Sequence, residues 1–405
     1  MKFHEIKLPY TIHCAIPAAL LATCLVILAV VILQDDSEPL LPSLVADGDS
    51  GSANLSCNIF KGEWVPDPGA PCYTAETCPV IHGHYDCLRY GRPDLGFIRW
   101  RWRPAGCELP HLDPARFLRA ARGRSMAFVG DSLARNQMHS LVCLLARAET
   151  PSPWTNAAGH AFRFRRHRFT VASFWSPFLV HAAEADPDGP ARSGAGLWSL
   201  HLDEPDAGWA ARASEFDYVV VSAGSWFFRP SVFHERGHLV GCNACLAPNV
   251  TDLTLRYPLR KAFRTALRAA AAAGAPPGRR RARTVVVGTV SPSHYENGTW
   301  NEDGDCARTR PLARGEWEVN AVEKEMHAIQ VEEFAAARRE AKGKGAARML
   351  LLDATEAMAQ RPDAHPGKYR LWQPDRFNVS RDCLHWCLPG AMDACNDMLL
   401  HMLLH

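Results

Sequence analysis

Residues 125–145 read SMAFVGDSLARNQMHSLVCLL: an apolar run passes through Gly-Asp-Ser into a helix-like pattern. The run Ser125–Val129 reads as a buried strand, and Gly130 turns the chain with no Cβ to clash. Beyond it, Leu133, Met138, Leu141, Val142 and Leu145 recur near helical spacing. Either Asp131 or Ser132 caps that helix. A serine at such a junction holds its hydroxyl beside outward-pointing N–H groups, which can stabilise a developing oxyanion. The plainer alternative is that Ser132 is only a cap, since serine is among the preferred capping residues.

Near the C-terminus, residues 382–387 read DCLHWC. Asp382 and His385 are three apart, so one helical turn puts them on one face. A carboxylate there orients the imidazole and stabilises its cation, and the imidazole can take a proton from Ser132. Serine, histidine and aspartate together are what acyl transfer through a serine ester needs. Cys383 and Cys387 flank the histidine. Crosslinks there would hold the loop in place; the alternatives are a metal cluster or a purely structural cysteine loop.

The compartment favours crosslinks. Cys14–Leu33 is a run of 20 residues with no charge. At about 1.5 Å per residue it matches a hydrocarbon core about 30 Å thick. Lys2 and Lys7 precede it, and Asp35, Asp36 and Glu38 follow it. That charge order predicts a signal anchor with a cytosolic tail (1–13) and a lumenal remainder (34–405), a cleaved signal being the alternative. Sequons at Asn54, Asn249, Asn297 and Asn378 fit a lumenal assignment. Of 14 cysteines, Cys14 and Cys24 fall in the anchor, leaving an even set of twelve in an oxidising lumen. Five of these lie within residues 57–107, which predicts a stapled subdomain over 57–115 with little core of its own. Cys242 and Cys245 read as a local disulfide. His82 and His84, near Cys87, read as structural or surface residues, not metal ligands.

Residues 34–56 are acidic and Ser/Gly-rich and read as a stem. From 116 onward, apolar β-branched runs at Tyr218–Val221, Thr284–Val287 and Met349–Leu352 alternate with helical stretches at Ala262–Ala273 and Glu316–Arg339. Alternation predicts an α/β domain with a parallel sheet covered on both faces. Its site belongs at the carboxyl ends of the strands, where Ser132 falls. Ala269–Arg283, with its alanine run and Arg279-Arg280-Arg281, reads as a helix end and an exposed loop. Phe162-Arg163-Phe164-Arg165 reads as a half-buried strand. A net charge of +2 predicts no nucleic-acid partner. Trp100, Trp102, Trp175 and Trp226 can stack on sugar rings, with core packing as the alternative role for each.

Five ordered blocks carry a resemblance: CNIFKGEWVPDPGAPCY, GRPDLGFIRWRWRPAGCELP, AFVGDSLARNQMHSLVCLL, TVSPSHYENGTWNEDGDC and DCLHWCLPG. From about Cys57 to the C-terminus the chain resembles the plant trichome birefringence-like family of polysaccharide O-acetyltransferases, most of all the members that acetylate xyloglucan. The resemblance implies an SGNH/GDSL-hydrolase-like three-layer catalytic domain over 116–405 in a type II Golgi membrane protein. It implies a triad of Ser132, His385 and Asp382, no metal and no tightly bound cofactor. The implied partners are a hemicellulose acceptor and an acetyl donor, either acetyl-CoA or an acetylated intermediate. Around Ser132, the residues Gly130, Asp131, Arg135, Asn136 and Gly224 are the candidate substrate-binding set, with Arg135 also ordering the loop. The Ser132 N–H is the expected oxyanion donor, with Gly224 and Asn136 as weaker candidates; the alternative for Asn136, four residues beyond Ser132, is that it only supports the turn. The resemblance also suggests disulfides Cys87–Cys387, Cys306–Cys383, Cys57–Cys107 and Cys78–Cys143. The family has an aromatic where this chain has Cys72, which is then free or paired unusually, with Cys395 as a possible partner. Xylan or mannan as acceptor, an acetylesterase on the same triad, and a polysaccharide-binding protein with a decayed site are the competing readings.

Overall fold

The computed structural model describes residues 57–156, 159–186, 196–273, 282–341, 346–371 and 381–404. The expected tail (1–13), anchor (14–33) and stem (34–56, with Asn54), and Asn378, lie outside the described residues. Among those described, no helix is long and apolar enough to cross a membrane.

Thirteen strands are described: β1 (Gly62–Pro66), β2 (Trp100–Pro104), β3 (Ser125–Gly130), β4 (Ser152–Asn156), β5 (Gly159–Phe164), β6 (Phe169–Trp175), β7 (Val180–Asp186), β8 (Leu197–Pro205), β9 (Tyr218–Ser222), β10 (Ser231–Glu235), β11 (His238–Asn243), β12 (Thr284–Gly288) and β13 (Arg348–Leu352). The longer helices are α1 (Pro114–Ala120), α2 (Ser132–Ala146), α3 (Arg256–Ala272), α4 (Ala321–Glu340) and α5 (Ala391–Leu404). The main sheet runs β13-β12-β9-β3-β6-β5-β4. Its first five strands are parallel, and β5 and β4 are antiparallel. The expected parallel sheet is thus the five strands from β13 to β6, and antiparallel pairing through β5 and β4 makes the whole sheet mixed. Only a short turn joins β5 to β6, and tight turns join antiparallel strands. A second sheet, β11-β10-β8-β7, was not anticipated.

The β-branched and apolar runs form the central strands because both of their faces are covered. On β3, Met126 and Phe128 join one core with α1, α2 and α5. Ala127 and Val129 join the other, with α3, α4 and the second sheet. Val220 and Val286 repeat the first pattern, and Val219, Val221, Val285 and Val287 the second. This is a three-layer α/β arrangement. The cysteine-rich segment does not keep to itself: Tyr85, Phe97 and Trp102 are buried in the same core as Phe128 and Trp386.

The helix bounds show what periodicity misses. α3 starts six residues before the expected Ala262, with Pro258 as its third residue. Proline is tolerated there because first-turn N–H groups have no intrahelical partner. α4 starts at Ala321 and not at Glu316, because the Asn320 side chain caps it by accepting from the Glu323 N–H. Phe162 and Phe164 are buried and Arg163 exposed, as the alternation on β5 requires. Disulfides join Cys57–Cys107, Cys78–Cys143, Cys87–Cys387, Cys242–Cys245 and Cys306–Cys383. Cys72 and Cys395 are both free, so that pairing does not form. Burial, with Asp393 and Asp397 adding to it, pushes each thiol up to about 12, which leaves them unreactive.

Candidate active site

Gly130 ends β3 with φ +150, and a Cβ there would lie 1.7 Å from the Ser222 carbonyl oxygen of β9. Only glycine lets the neighbouring strand approach so closely. Asp131 is the cap of α2, resolving the choice between it and Ser132. Its Oδ1 accepts from the Leu133 N–H (2.9 Å). Its Oδ2 accepts from the Gly224 N–H (3.0 Å), the Ser225 N–H (3.2 Å) and the Ser225 hydroxyl (2.8 Å). One carboxylate thus ties the nucleophile turn to the loop after β9. Ser132, one residue on, is the first helical residue, so its own N–H has no partner within the helix.

Opposite Ser132 stands the 382–387 loop. His385 Nε2 is 2.6 Å from Ser132 Oγ, and His385 Nδ1 is 2.8 Å from Asp382 Oδ2. Asp382 Oδ1 accepts from the Leu384 and His385 N–H groups, at 3.2 and 3.0 Å. Burial alone would raise the Asp382 carboxyl. The charge of the His385 ring, its hydrogen bond and the Arg370 guanidinium overcome that and hold it well below the usual carboxylate range. Arg370 Nε lies 3.9 Å from Asp382 Oδ2. The order hydroxyl, imidazole, ionised carboxylate can take a proton from the serine and return it.

Asn136 and Gly224 depart from expectation. Asn136 is fully buried; its Oδ1 accepts from the Trp386 N–H (2.8 Å) and its Nδ2 donates to the Trp386 carbonyl (3.2 Å). It fastens α2 to the histidine loop. The Gly224 N–H is taken by Asp131. The Gly224 N–H is thus not free for an oxyanion, while Asn136 has one of its two amide N–H groups committed to Trp386. Arg135 lies one turn into α2, its guanidinium 5.4 Å from the centre of the Trp175 ring. Trp175 is exposed at the end of β6, pairs in register with Gly130 and packs edge-on to Trp226. Trp102 is core, its N–H donating to the Ile59 carbonyl (2.9 Å), and Trp100 packs against that core.

Several neighbours of Ser132 and His385 were not legible in the sequence. The Tyr85 hydroxyl donates to the Ser132 carbonyl (3.0 Å), and its ring is 5.6 Å from that of His385. His82 is 5.3 Å from Tyr85 and 5.2 Å from the buried His139, ring centre to ring centre. His82 and His84 thus stand beside the site, not apart from it. Burial, then Arg135 and neighbouring imidazoles, push His82 down to about 4. Burial, then the adjoining imidazoles, push His139 down to about 3. Behind the loop, His365 Nδ1 donates to the His385 carbonyl (2.7 Å), and His294 Nε2 donates to the Ala359 carbonyl (2.9 Å). The inner nitrogens of that pair are 2.7 Å apart. Their geometry calls for a shared proton, which burial opposes by pushing both imidazoles toward the neutral form. The signal for these partners was only a scatter of histidines, with no spacing to join them.

Among the described residues, no group of three or more His, Cys, Asp or Glu side chains is placed to hold a metal ion. Cys383 and Cys387 are in disulfides.

Known proteins resemble this chain over most of its length. Residues 109–402 match the GDSL/SGNH-like acyl-esterase family found in Pmr5 and Cas1p, and residues 55–108 match the PMR5 N-terminal domain. The chain is 46% identical to protein trichome birefringence-like 19 of Arabidopsis thaliana, over 86% of this chain and 81% of that protein. It is 39% identical to xyloglucan O-acetyltransferase 4 of Populus trichocarpa, over 86% of this chain and 81% of that one. It is also 39% identical to xyloglucan O-acetyltransferase 1 of Arabidopsis thaliana, over 86% and 80%. With a serine, a histidine and an aspartate in hydrogen-bonded sequence and relatives aligned along most of its length, this chain belongs to the trichome birefringence-like family.

Proposed function

We propose that this protein is a polysaccharide O-acetyltransferase that carries an acetyl group on Ser132 and delivers it to a hydroxyl of a hemicellulose, xyloglucan first. The observation that carries the proposal is the 2.6 Å contact between Ser132 Oγ and His385 Nε2, in a chain 39% identical to two xyloglucan O-acetyltransferases. His385 takes the Ser132 proton as Oγ attacks the acetyl carbonyl of the donor, acetyl-CoA or an acetylated intermediate. Asp382 balances the imidazolium, and the Ser132 N–H faces the oxyanion. His385 then gives its proton to the departing donor. A sugar hydroxyl enters, loses its proton to His385 and attacks the acetyl-serine. The acetyl ester leaves with the sugar, and Ser132 recovers its proton from His385.

The setting proposed for this chemistry is the Golgi lumen, with the chain anchored by residues 14–33. The sequons at Asn249 and Asn297 are exposed, as lumenal glycosylation requires. The test is incubation of the full-length protein with an acetyl donor and, separately, xyloglucan, xylan and mannan oligosaccharides. Acetylation of xyloglucan alone, absent in Ser132→Ala, is the expected result. Free acetate with no acetylated glycan would replace transfer by hydrolysis, since the same triad serves both.

A further inference from the structure

Away from the triad, one cleft of about 470 Å³ combines an aromatic wall with closely spaced polar groups. That volume is within the range of small-molecule sites. Trp317 and Glu318 reach it from the segment before α4, Lys324 and His327 from α4 itself, and Asp353 from the end of β13. Lys61, just ahead of β1, closes one side. None of these residues takes part in the chemistry at Ser132.

The polar groups are already ordered among themselves. Lys61 Nζ is 2.6 Å from Glu356, Lys324 Nζ is 2.5 Å from Glu318, and His327 Nε2 is 2.7 Å from Asp353. Two ammonium groups thus face three carboxylates, and little net field is left to select an ion. Donors and acceptors instead lie close together beside a half-buried indole. A neutral polyhydroxy ligand matches that description. Its hydroxyls both give and accept hydrogen bonds, and its ring faces are apolar enough to lie on tryptophan.

Position supplies the second argument. Asp353 follows β13 and Ser132 follows β3, and the sheet order between them is β13-β12-β9-β3. Three strand spacings of about 4.8 Å separate the two points by roughly 15 Å along the same carboxyl edge. Ligands of open α/β sheets bind along that edge. A glycan of a few rings spans such a distance.

We propose that this cleft is a distal acceptor subsite, holding a neutral glycan chain while a hydroxyl further along reaches Ser132. The proposal rests on the acetyltransferase reading and names where its acceptor is gripped. Its test compares the full-length wild type with Trp317→Ala and Trp317→Tyr. Three readouts are needed: acetylation kinetics on long and short xyloglucan oligosaccharides, acetate release from p-nitrophenyl acetate, and calorimetric binding of the long oligosaccharide to Ser132→Ala protein with and without Trp317→Ala. Trp317→Ala should raise KM for the long acceptor about tenfold and leave short-acceptor kinetics and acetate release unchanged. Trp317→Tyr should restore most of the loss. Acetylation by wild type with long-acceptor KM unmoved in Trp317→Ala would overturn the subsite and leave the transferase standing. If wild type acetylates no glycan, the calorimetry decides. Binding weakened by Trp317→Ala would keep the cleft as a glycan site, and binding indifferent to it would discard the site.

Discussion

Ser132 and His385 meet at 2.6 Å, yet the segments that deliver them are held by different means. The serine turn is held by the sheet. It follows a central parallel strand buried on both faces, a glycine that admits the neighbouring carbonyl, and a capping carboxylate. The histidine loop has no helix or strand over 382–390. It is held by two disulfides, by Asn136 and by His365. A close-packed core positions a nucleophile through many small contacts. The histidine loop shares that core through Trp386, Cys387 and Leu388, but with no helix or strand ladder over its length it leans on a few individual ties, each of which matters singly.

The largest effect expected falls on the chemistry and not on either support. Ser132→Ala should lower the turnover of acetyl transfer by about four or more powers of ten and leave the melting temperature nearly unchanged. A variant that keeps a substantial fraction of the activity would remove Ser132 from the mechanism and leave it only the first residue of α2.

Removing a tie comes next. Cys87 and Cys387 are 300 residues apart in sequence, so their bond closes a very long loop. Replacing both by alanine should cost about 2–5 kcal/mol in urea unfolding and depress activity further than that loss alone explains. Cys242–Cys245, with a separation of 3, is the internal control and should matter far less. Equal effects would show that the histidine loop does not depend on its crosslinks.

Asn136 joins the two regions, and Asn136→Ala leaves the Trp386 N–H and carbonyl without their buried partner. About 2–3 kcal/mol of stability should go, with a fall in kcat larger than any change in KM. A change in stability alone would make Asn136 a packing residue with no bearing on the loop.

The smallest effect is in pH. His82 and His139 have folded values below the ordinary 6.5, near 4 and 3. Their contribution is therefore complete above about 6.5 and is lost as pH falls toward those values. Asp393 works the other way. Burial raises its carboxyl from 3.8 to about 6, so the fold favours its protonated form, a contribution lost as pH rises through that window. Acidification from 6.5 to 4 should destabilise the protein, and Asp393→Asn should steepen the fall by about 1–2 kcal/mol. Denaturant melts across that range check it; a slope unchanged in the variant would remove Asp393 from the account.

Much of the serine side was legible because its supports are local in sequence. The apolar run, the glycine and the helical spacing lie within twenty-one residues, and strand β3 and helix α2 fall within a residue of where the pattern puts them. The histidine side was legible only as the string DCLHWC. Its partners Arg370, His365, Tyr85 and Cys87 come from elsewhere in the chain, and no periodicity links them to it. Four of the disulfides came from the family resemblance; Cys242–Cys245 alone was legible from its spacing. The second sheet was missed for a related reason: β8 and β10 pair across a long connection, and their alternation is irregular, with bulges in both β7–β8 and β10–β11. For Asn136 the sequence leaves open an oxyanion donor or a support for the turn, since nothing local shows that its amide faces Trp386.

Every step proposed for the site requires Ser132 to carry the acetyl group. The direct measurement is intact-protein and peptide mass spectrometry of the full-length chain mixed rapidly with an acetyl donor and no acceptor. One added acetyl group on the Ser132 peptide, absent in Ser132→Ala and discharged when xyloglucan oligosaccharide is added, is the predicted result. Acetylated oligosaccharide formed at full rate by a protein that never carries acetyl on Ser132, or by the Ser132→Ala variant itself, would contradict it.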